Sequence, residues 1–419
     1  MQFFKWLYPG LGIKRWIILC ILGLGFIAGV ALLAIKSIAT YSVLLASLAM
    51  ATLIFGMFLV YTAVKNMVRI FVRALMPANA DERLVDIVFQ KRRSESLARG
   101  PRIVAIGGGT GLSALLSGLK LLTNNLTAIV TVTDTGGSSG RLRDEMDVLP
   151  PGDIRNCLVA LADAEPLIRD LFQYRFETGE GLRGHSFGNL FITALSMVTG
   201  DFEKAIRESS KVLAIRGRVI PSTLDKVTLV GEFMDGTIVE GETNITGVNK
   251  MLKNLRLKPE GCQPCPEALD AIENADIIVL GPGSVYTSVL PNLLIRDIFE
   301  AVLASDAYKM YVLNVMTQPG ETDGMSAWDH LRVILEHTDP RVVDACVANV
   351  QEIPQGMIDK YAEKGATTVL QDLDVIREKG YEVVEAEILK LDGQVRHDSE
   401  KLARVIFDHY IKVAKAVKV

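Results

Sequence analysis

The stretch RIVAIGGGTGLSALLSGLKLL, residues 102–122, decides how the rest of this chain is read. After Arg102 its opening residues are apolar and partly β-branched, the mark of a short strand buried on both faces. GGGTG follows at once, and LSALLSGLKLL then repeats apolar residues at helical spacing. The order is strand, tight turn, helix. Glycines at 107, 108, 109 and 111 permit positive φ and let backbone N–H groups come close to a ligand. At a helix N-terminus that makes an anion site, for which phosphate is the natural guest. Gly107, Gly108, Gly109, Thr110 and Gly111 are therefore candidate ligand contacts. The G-x-G-x-x-G dinucleotide fingerprint is incomplete, because Leu112 stands where its third glycine belongs, and no Gly-Lys-Ser/Thr follows for a P-loop. A tight turn with no ligand is the competing reading of this motif alone.

Downstream the pattern recurs. LTAIVTVTD, residues 126–134, reads as a strand ending at Asp134 and runs into TGGSSGRLRD. There Gly136, Gly137 and Gly140 supply a flexible nest, Ser138 and Ser139 offer hydroxyls, and Arg141 and Arg143 can pair with a dianion. Asp134 suits Mg²⁺ or a ribose hydroxyl, or simply caps the turn. PPGDIRNCLVAL, residues 150–161, places Arg155 and Asn156 at a helix start, and GHSFGNLFITAL, residues 184–195, does the same for His185, Ser186 and Asn189. ADIIVLGPGSVYTSVLPNLL, residues 275–294, is a strand followed by a turn holding Gly281, Gly283, Ser284, Thr287 and Ser288. KMYVLNVMTQPGETDG, residues 309–324, holds another strand ending at Asn314. In an open parallel sheet ligands bind outside the carboxyl ends of the strands, so the loops at Gly107, Asp134, Gly281 and Asn314 are expected to converge. The expected fold is α/β, Rossmann-like, with a mostly parallel sheet and helices on both faces.

Ahead of this body lies WIILCILGLGFIAGVALLAI, residues 16–35, uncharged and long enough to cross a bilayer as a helix. Residues 37–64 are uncharged too, with only Lys36 between, so a transmembrane hairpin with a tight turn is expected. Lys5, Lys14 and Arg15 precede it and Lys65, Arg69 and Arg73 follow, which places both termini and the main domain in the cytoplasm of a multi-pass membrane protein. Gly23, Gly25 and Gly29 can let helices approach closely. The division is then 1–77 for the hairpin with its flanks, 78–100 for a polar juxtamembrane helix, and 101–419 for the α/β domain.

Net charge is −4, from 45 basic and 49 acidic residues, which lacks the basic surplus of a nucleic-acid binder. Five cysteines without regular spacing imply no disulfide framework, and Cys262-x-x-Cys265 has no second pair or nearby histidine to complete a metal site. No G-x-S-x-G elbow surrounds Ser284, so nucleophilic catalysis has no support. Near the end RHDSEKLARVIFDHYI begins a terminal helix capped by Asp398 or Ser399, with Arg396 just outside it.

Taken in order, GGGTGLS, DTGGSSGRLRD, PPGDIRNCL, GHSFGNL, GPGSVYTSVLPNLL, NVMTQPGET and RHDSEKLA resemble the gluconeogenesis factor family from about Arg102 to the C-terminus. More distantly they are similar to the 2-phospho-L-lactate transferases. The resemblance implies a Rossmann-like domain that binds UDP-sugars, notably UDP-N-acetylglucosamine, and supports growth and cell shape on gluconeogenic carbon sources. It also implies ligand contacts from the Gly107–Gly111 turn, the Gly136–Arg141 loop, Asn189, the Gly281–Ser288 loop and Arg396. Relatives carry two adjacent acidic residues before GGSSG, whereas Thr135 follows Asp134 here, which weakens metal-dependent catalysis. The leading expectation is a non-catalytic, homodimeric regulator that answers to a UDP-sugar and meets cell-envelope biosynthesis proteins at the membrane. The alternative is a transferase acting on a nucleoside-diphosphate-linked donor, with Asp134 helping to hold Mg²⁺.

Overall fold

A computed structural model describes residues 13–40, 43–75, 96–248, 250 and 252–416. The chain divides into two units, Met1–Glu95 and Ser96–Val419.

In the first unit two helices, Ile13–Thr40 and Val43–Leu75, pack on each other. Phe26 meets Phe55 edge to face with ring centroids 5.3 Å apart, and Ala63 is fully buried. Gly23 and Gly56 make that approach possible, since a Cβ on Gly23 would lie 2.8 Å from Val60 Cγ2 and 2.9 Å from the Gly56 carbonyl oxygen. Gly25 and Gly29 face open space instead. Among the described residues only Val43–Arg69 is long and apolar enough to cross a membrane, and the apolar stretch Arg15–Ala31 is shorter. The first helix does not stop at Lys36 as expected but continues to Thr40, and residues 41–42, where the second helix has not yet begun, lie outside the described residues. Most of the expected 78–100 linker helix also lies outside them, and residues 96–98 form a single helical turn.

The second unit is built on strands β1 (Ile103–Gly107), β2 (Leu126–Val130), β3 (Arg218–Pro221), β4 (Thr228–Phe233), β5 (Ile238–Glu240), β6 (Leu252–Lys258), β7 (Ile277–Leu280), β8 (Tyr308–Val312), β9 (Ala345–Asn349), β10 (Glu382–Ala386), β11 (Leu389–Leu391) and β12 (Val395–His397). Seven of them form one sheet in the order β10-β9-β8-β7-β1-β2-β3, with every pairing parallel. β1, β2, β7 and β9 are buried along their whole length, as strands covered by helices on both faces must be. Chain order runs outward from β1 through β2 to β3, then restarts on the other side of β1 with β7. The doubly wound sheet therefore reverses between β1 and β7, and a crevice opens outside the strand ends at that point.

Between β3 and β7 the chain inserts a small antiparallel sheet, β5-β4-β6, which carries the short helix Glu242–Thr246. The C-terminal helix Ser399–Ala416 packs on the helix Gly109–Leu119 through Gly118, where any Cβ would overlap the Ser399 carbonyl. Asp398 caps the terminal helix, its Oδ1 accepting from the N–H groups of Glu400 and Lys401, both at 3.0 Å. One large core fills the unit. A second, much smaller one joins Val315, Leu389 and Val395 with Met357 and Tyr361, so the β11–β12 hairpin and the helix Gln355–Ala362 pack apart from the main core.

Candidate functional site

Outside the carboxyl ends of β8, β7 and β1, neighbours in the sheet, lies a cavity of about 1200 Å³. Behind its lining Gly107 and Gly281 meet, and a Cβ on Gly107 would stand 3.7 Å from Gly281 Cα. Gly111 lies tighter still. A side chain there would overlap the Pro282 carbonyl oxygen, so the first glycine turn and the GPGS turn are held backbone against backbone.

One wall is the glycine turn and the helices behind it. The helix Gly109–Leu119 has Gly108 as its N-cap, which offers its terminal N–H groups no side-chain cap. Gly108, Gly109, Thr110 and Gly111 line the cavity, together with Arg155, Asn156, Lys120 and Arg169. Arg155 Nη2 donates to Asn156 Oδ1 at 2.7 Å and Nη1 to Ser186 Oγ, while its Nε is buried without a partner. Burial pulls the Arg155 and Lys120 values down, although a guanidinium stays charged. Gly188 is required beneath Arg155, because a Cβ there would lie 2.8 Å from Arg155 Cδ. Asp153 reaches the same turn and accepts from the Gly109 N–H; burial and then the Asp134 charge raise its carboxyl to about 6.

The other wall is organised around the loop after β8. Gly283, Ser284, Thr287, Ser288 and Asn314 line it, as do Gln318, Glu321, Glu242 and His397. Ser284 Oγ caps a five-residue π-helix, Val285–Val289, by accepting from Thr287 N–H at 3.1 Å, and donates to Glu321 Oε2. Such π-helices recur at functional sites. Asn314 Nδ2 donates to the Gly283 carbonyl at 2.8 Å.

Several residues singled out in the sequence are placed elsewhere. Asp134 lies four residues beyond the end of β2 rather than at it, and its Oδ1 accepts from Gly136 N–H at 2.7 Å, the turn-capping role. Ser138 Oγ, His185 Nδ1 and Asn189 Nδ2 form a buried network, with Ser138 Oγ 3.0 Å from His185 Nδ1 and 3.1 Å from Asn189 Nδ2. Gly136, Gly137, Ser138, Ser139, Arg141 and Asn189 stand off the cavity lining, as Asp134, Gly107 and Gly281 do. Arg141 is turned to the Arg183 carbonyl at 2.9 Å. Arg396, at the middle of β12, does line the cavity, next to Val395 and His397.

Glu242, Gln318, Glu321 and Tyr361 carried no sequence signal that set them apart. Glu242 sits in the inserted sheet, where nothing local announces a return to the crevice. Gln318 and Glu321 lie in QPGE, and only the glycine between Pro319 and Glu321 hints at a close approach. Arg155 and His397 were visible within PPGDIRNCL and RHDSEKLA. Among the described residues no group of three or more His, Cys, Asp or Glu side chains is placed to hold a metal ion.

A family model described as 2-phospho-L-lactate transferase CofD matches residues 103–389. The chain is 46% identical to the gluconeogenesis factor of Bacillus subtilis over 74% of its own length and 99% of that protein. It is 45% identical, over 98% of its length and 93% of the relative's, to a protein of Nostoc sp. that carries the gluconeogenesis-factor name provisionally. The crystal structure of a UPF0052 family member from Bacillus halodurans superposes with a TM-score of 0.72 at 47% identity, covering 74% of this chain and 99% of that one.

Proposed function

Because this chain belongs to the gluconeogenesis factor family of CofD-like proteins, we propose that it binds a UDP-sugar, UDP-N-acetylglucosamine foremost, and serves as a ligand-responsive regulator of growth and cell shape under gluconeogenic conditions. The observation that carries this reading is the cavity at the sheet's switch point, where a helix N-terminus shares one space with Arg155, Arg169 and Arg396. A single exposed helix-end contact contributes about 0.3–1 kcal/mol, whereas micromolar binding needs about 8 kcal/mol. Several loops and arginines acting on one diphosphate can reach that sum.

The N-terminal helices anchor this unit at the cytoplasmic face of the membrane as a two-span hairpin. The basic residues on both flanks and the length of Val43–Arg69 support that placement. Cell-envelope biosynthesis proteins are the partners, read by a homodimer whose loops close on the ligand. A partner senses the ligand only if the open and closed states bind it unequally.

A second reading is a transferase acting on a nucleoside-diphosphate-linked donor. The neighbouring carboxylates of Asp134 and Asp153 favour it, since Mg²⁺ is commonly held by one or two carboxylates together with substrate phosphates, whose charge it neutralises. In that case the glycine turn and Arg155 orient the donor. Calorimetric titration of the full chain in detergent with UDP-N-acetylglucosamine and with GDP, each with and without Mg²⁺, separates the readings when the recovered nucleotide is then chromatographed. Intact UDP-sugar bound ahead of GDP supports the regulator. GDP preference with Mg²⁺ dependence, or released nucleoside monophosphate, replaces it with the transferase.

A further inference from the structure

The wall around the β8 loop holds two buried carboxyls and two buried acceptor atoms without a partner, beside the Arg396 guanidinium on β12. Glu321 takes a hydrogen bond from Ser284 Oγ on one oxygen and from Thr287 Oγ1, 3.5 Å away, on the other. The Thr287 hydroxyl also favours the charged form of Glu242. A hydroxyl has one proton, so Thr287 cannot donate to both carboxyl groups at once. Gln318 Oε1 is buried without a partner, and so is His397 Nε2. The His397 ring bonds the Leu313 backbone, and burial lowers its value to about 4, so the ring is neutral and its remaining nitrogen is an acceptor.

These groups converge because the backbone brings them together. Gly320, at φ +82°, lies so close to the Thr246 carbonyl that no side chain fits, and this contact joins the loop bearing Gln318 and Glu321 to the helix that begins at Glu242. Neither glutamate forms an ion pair among the described residues. Burial raises both values, and the charges of Asp134, Asp153 and Glu321 add to it for Glu242. A phosphate would be repelled by these two carboxyls themselves. A group rich in O–H donors would be held there.

We propose that Glu242 and Glu321, with Gln318 and His397 beside them, form the subsite that reads the hydroxyls of the hexose in a bound nucleotide sugar. The inference rests on the nucleotide-sugar reading of the cavity. It assigns the diphosphate to the glycine-turn wall and the sugar to the β8-loop wall, so discrimination between UDP and a UDP-hexose arises at the glutamates.

The test is calorimetry on the full chain in detergent with UDP, UDP-glucose, UDP-N-acetylglucosamine and UDP-glucose analogues lacking single hydroxyls. The wild-type chain is expected to prefer the UDP-hexoses over UDP by roughly tenfold or more, and removal of a recognised hydroxyl should cost roughly tenfold. Glu321→Gln and Glu242→Gln should bring the UDP-hexose affinity down toward that of UDP and leave UDP itself unweakened. If either variant fails to fold, the deoxy-sugar series on the wild-type chain decides alone. Equal binding of UDP and UDP-hexoses, or variants that keep the wild-type preference, overturns this inference and leaves the nucleotide site standing. No binding of any uridine nucleotide by the wild-type chain overturns both.

Discussion

The two walls of the cavity are made in opposite ways. The centre of the glycine-turn wall is contiguous in sequence, a strand running into a turn and a helix that offers backbone N–H donors, with the guanidiniums of Arg155 and Arg169 added from two later helices. The β8-loop wall is assembled from four distant segments, and its groups are carboxyl, amide and imidazole acceptors held by buried hydroxyls. A donor surface for anions can be written into one short motif because the helix terminus supplies it. An acceptor surface cannot, since buried carboxylates need hydroxyls and backbone contacts from elsewhere in the fold to be tolerated.

Backbone contact is what both walls share, so its removal should produce the largest effects. Gly111→Val and Gly320→Val each drive a side chain into a carbonyl oxygen, and each should cost about 3 kcal/mol of stability in urea denaturation. A loss below about 1 kcal/mol at either position would mean that the turns are not pressed together as described. Next in size, Arg155→Met should weaken UDP and UDP-hexoses equally, by roughly thirtyfold, since a charge-assisted contact to phosphate carries no information about the sugar. A changed ratio between the two ligands would erase the division of labour between the walls.

The acids should also differ from ordinary surface carboxylates in their pH response. Glu242 is raised from 4.5 to about 8 and Asp153 from 3.8 to about 6, so the folded chain keeps protons that the unfolded chain has released. Stability from this source is full below the unfolded values and falls as pH rises to the folded ones, by about 1.4 kcal/mol per pH unit for each group at most. Glu242→Gln should flatten the slope between pH 6 and 8, where Asp153 is already titrated, as read from urea midpoints across that range. The smallest effect is expected at Ser138→Ala. Its hydroxyl is tied to His185 and Asn189 off the cavity lining, so stability should drop by about 1 kcal/mol while UDP-sugar affinity moves less than about twofold.

The same contrast explains what was legible in the sequence. Parallel strands buried on both faces announce themselves as short apolar runs, and glycine turns at their ends mark where the sheet reverses. The convergence of the loops after β1, β7 and β8 could therefore be read from residues 102–122, 275–294 and 309–324 alone. GGSSG looked like another phosphate loop because small residues and hydroxyls serve equally well to pack a helix start. Gly140 is there because any side chain would overlap the Thr135 carbonyl. In the N-terminal unit, Gly25-x-x-x-Gly29 was conspicuous, yet Gly23 and Gly56 make the helix contact, because a spacing motif does not say which face of a helix meets its neighbour. Glu242 and Glu321 stayed hidden for a different reason: two ordinary glutamates become unusual only when folding buries them together.

The separate small core under the β11–β12 hairpin has a kinetic meaning. Helix Gln355–Ala362 buries none of its residues, and the hairpin relies on Val315, Leu389 and Val395 and on Tyr361, whose hydroxyl accepts from Val395 N–H at 3.1 Å. An element with so little apolar anchoring opens at a lower free energy than the sheet beside it. Arg396 and His397 ride on that element and line the cavity, so under the proposed nucleotide-sugar reading a ligand held by them is expected to leave when the hairpin lifts, with the seven-stranded sheet undisturbed. Residence time is then set by these short segments, and amide hydrogen exchange at β11 and β12 would slow on ligand binding while exchange in β1 and β7 stayed the same.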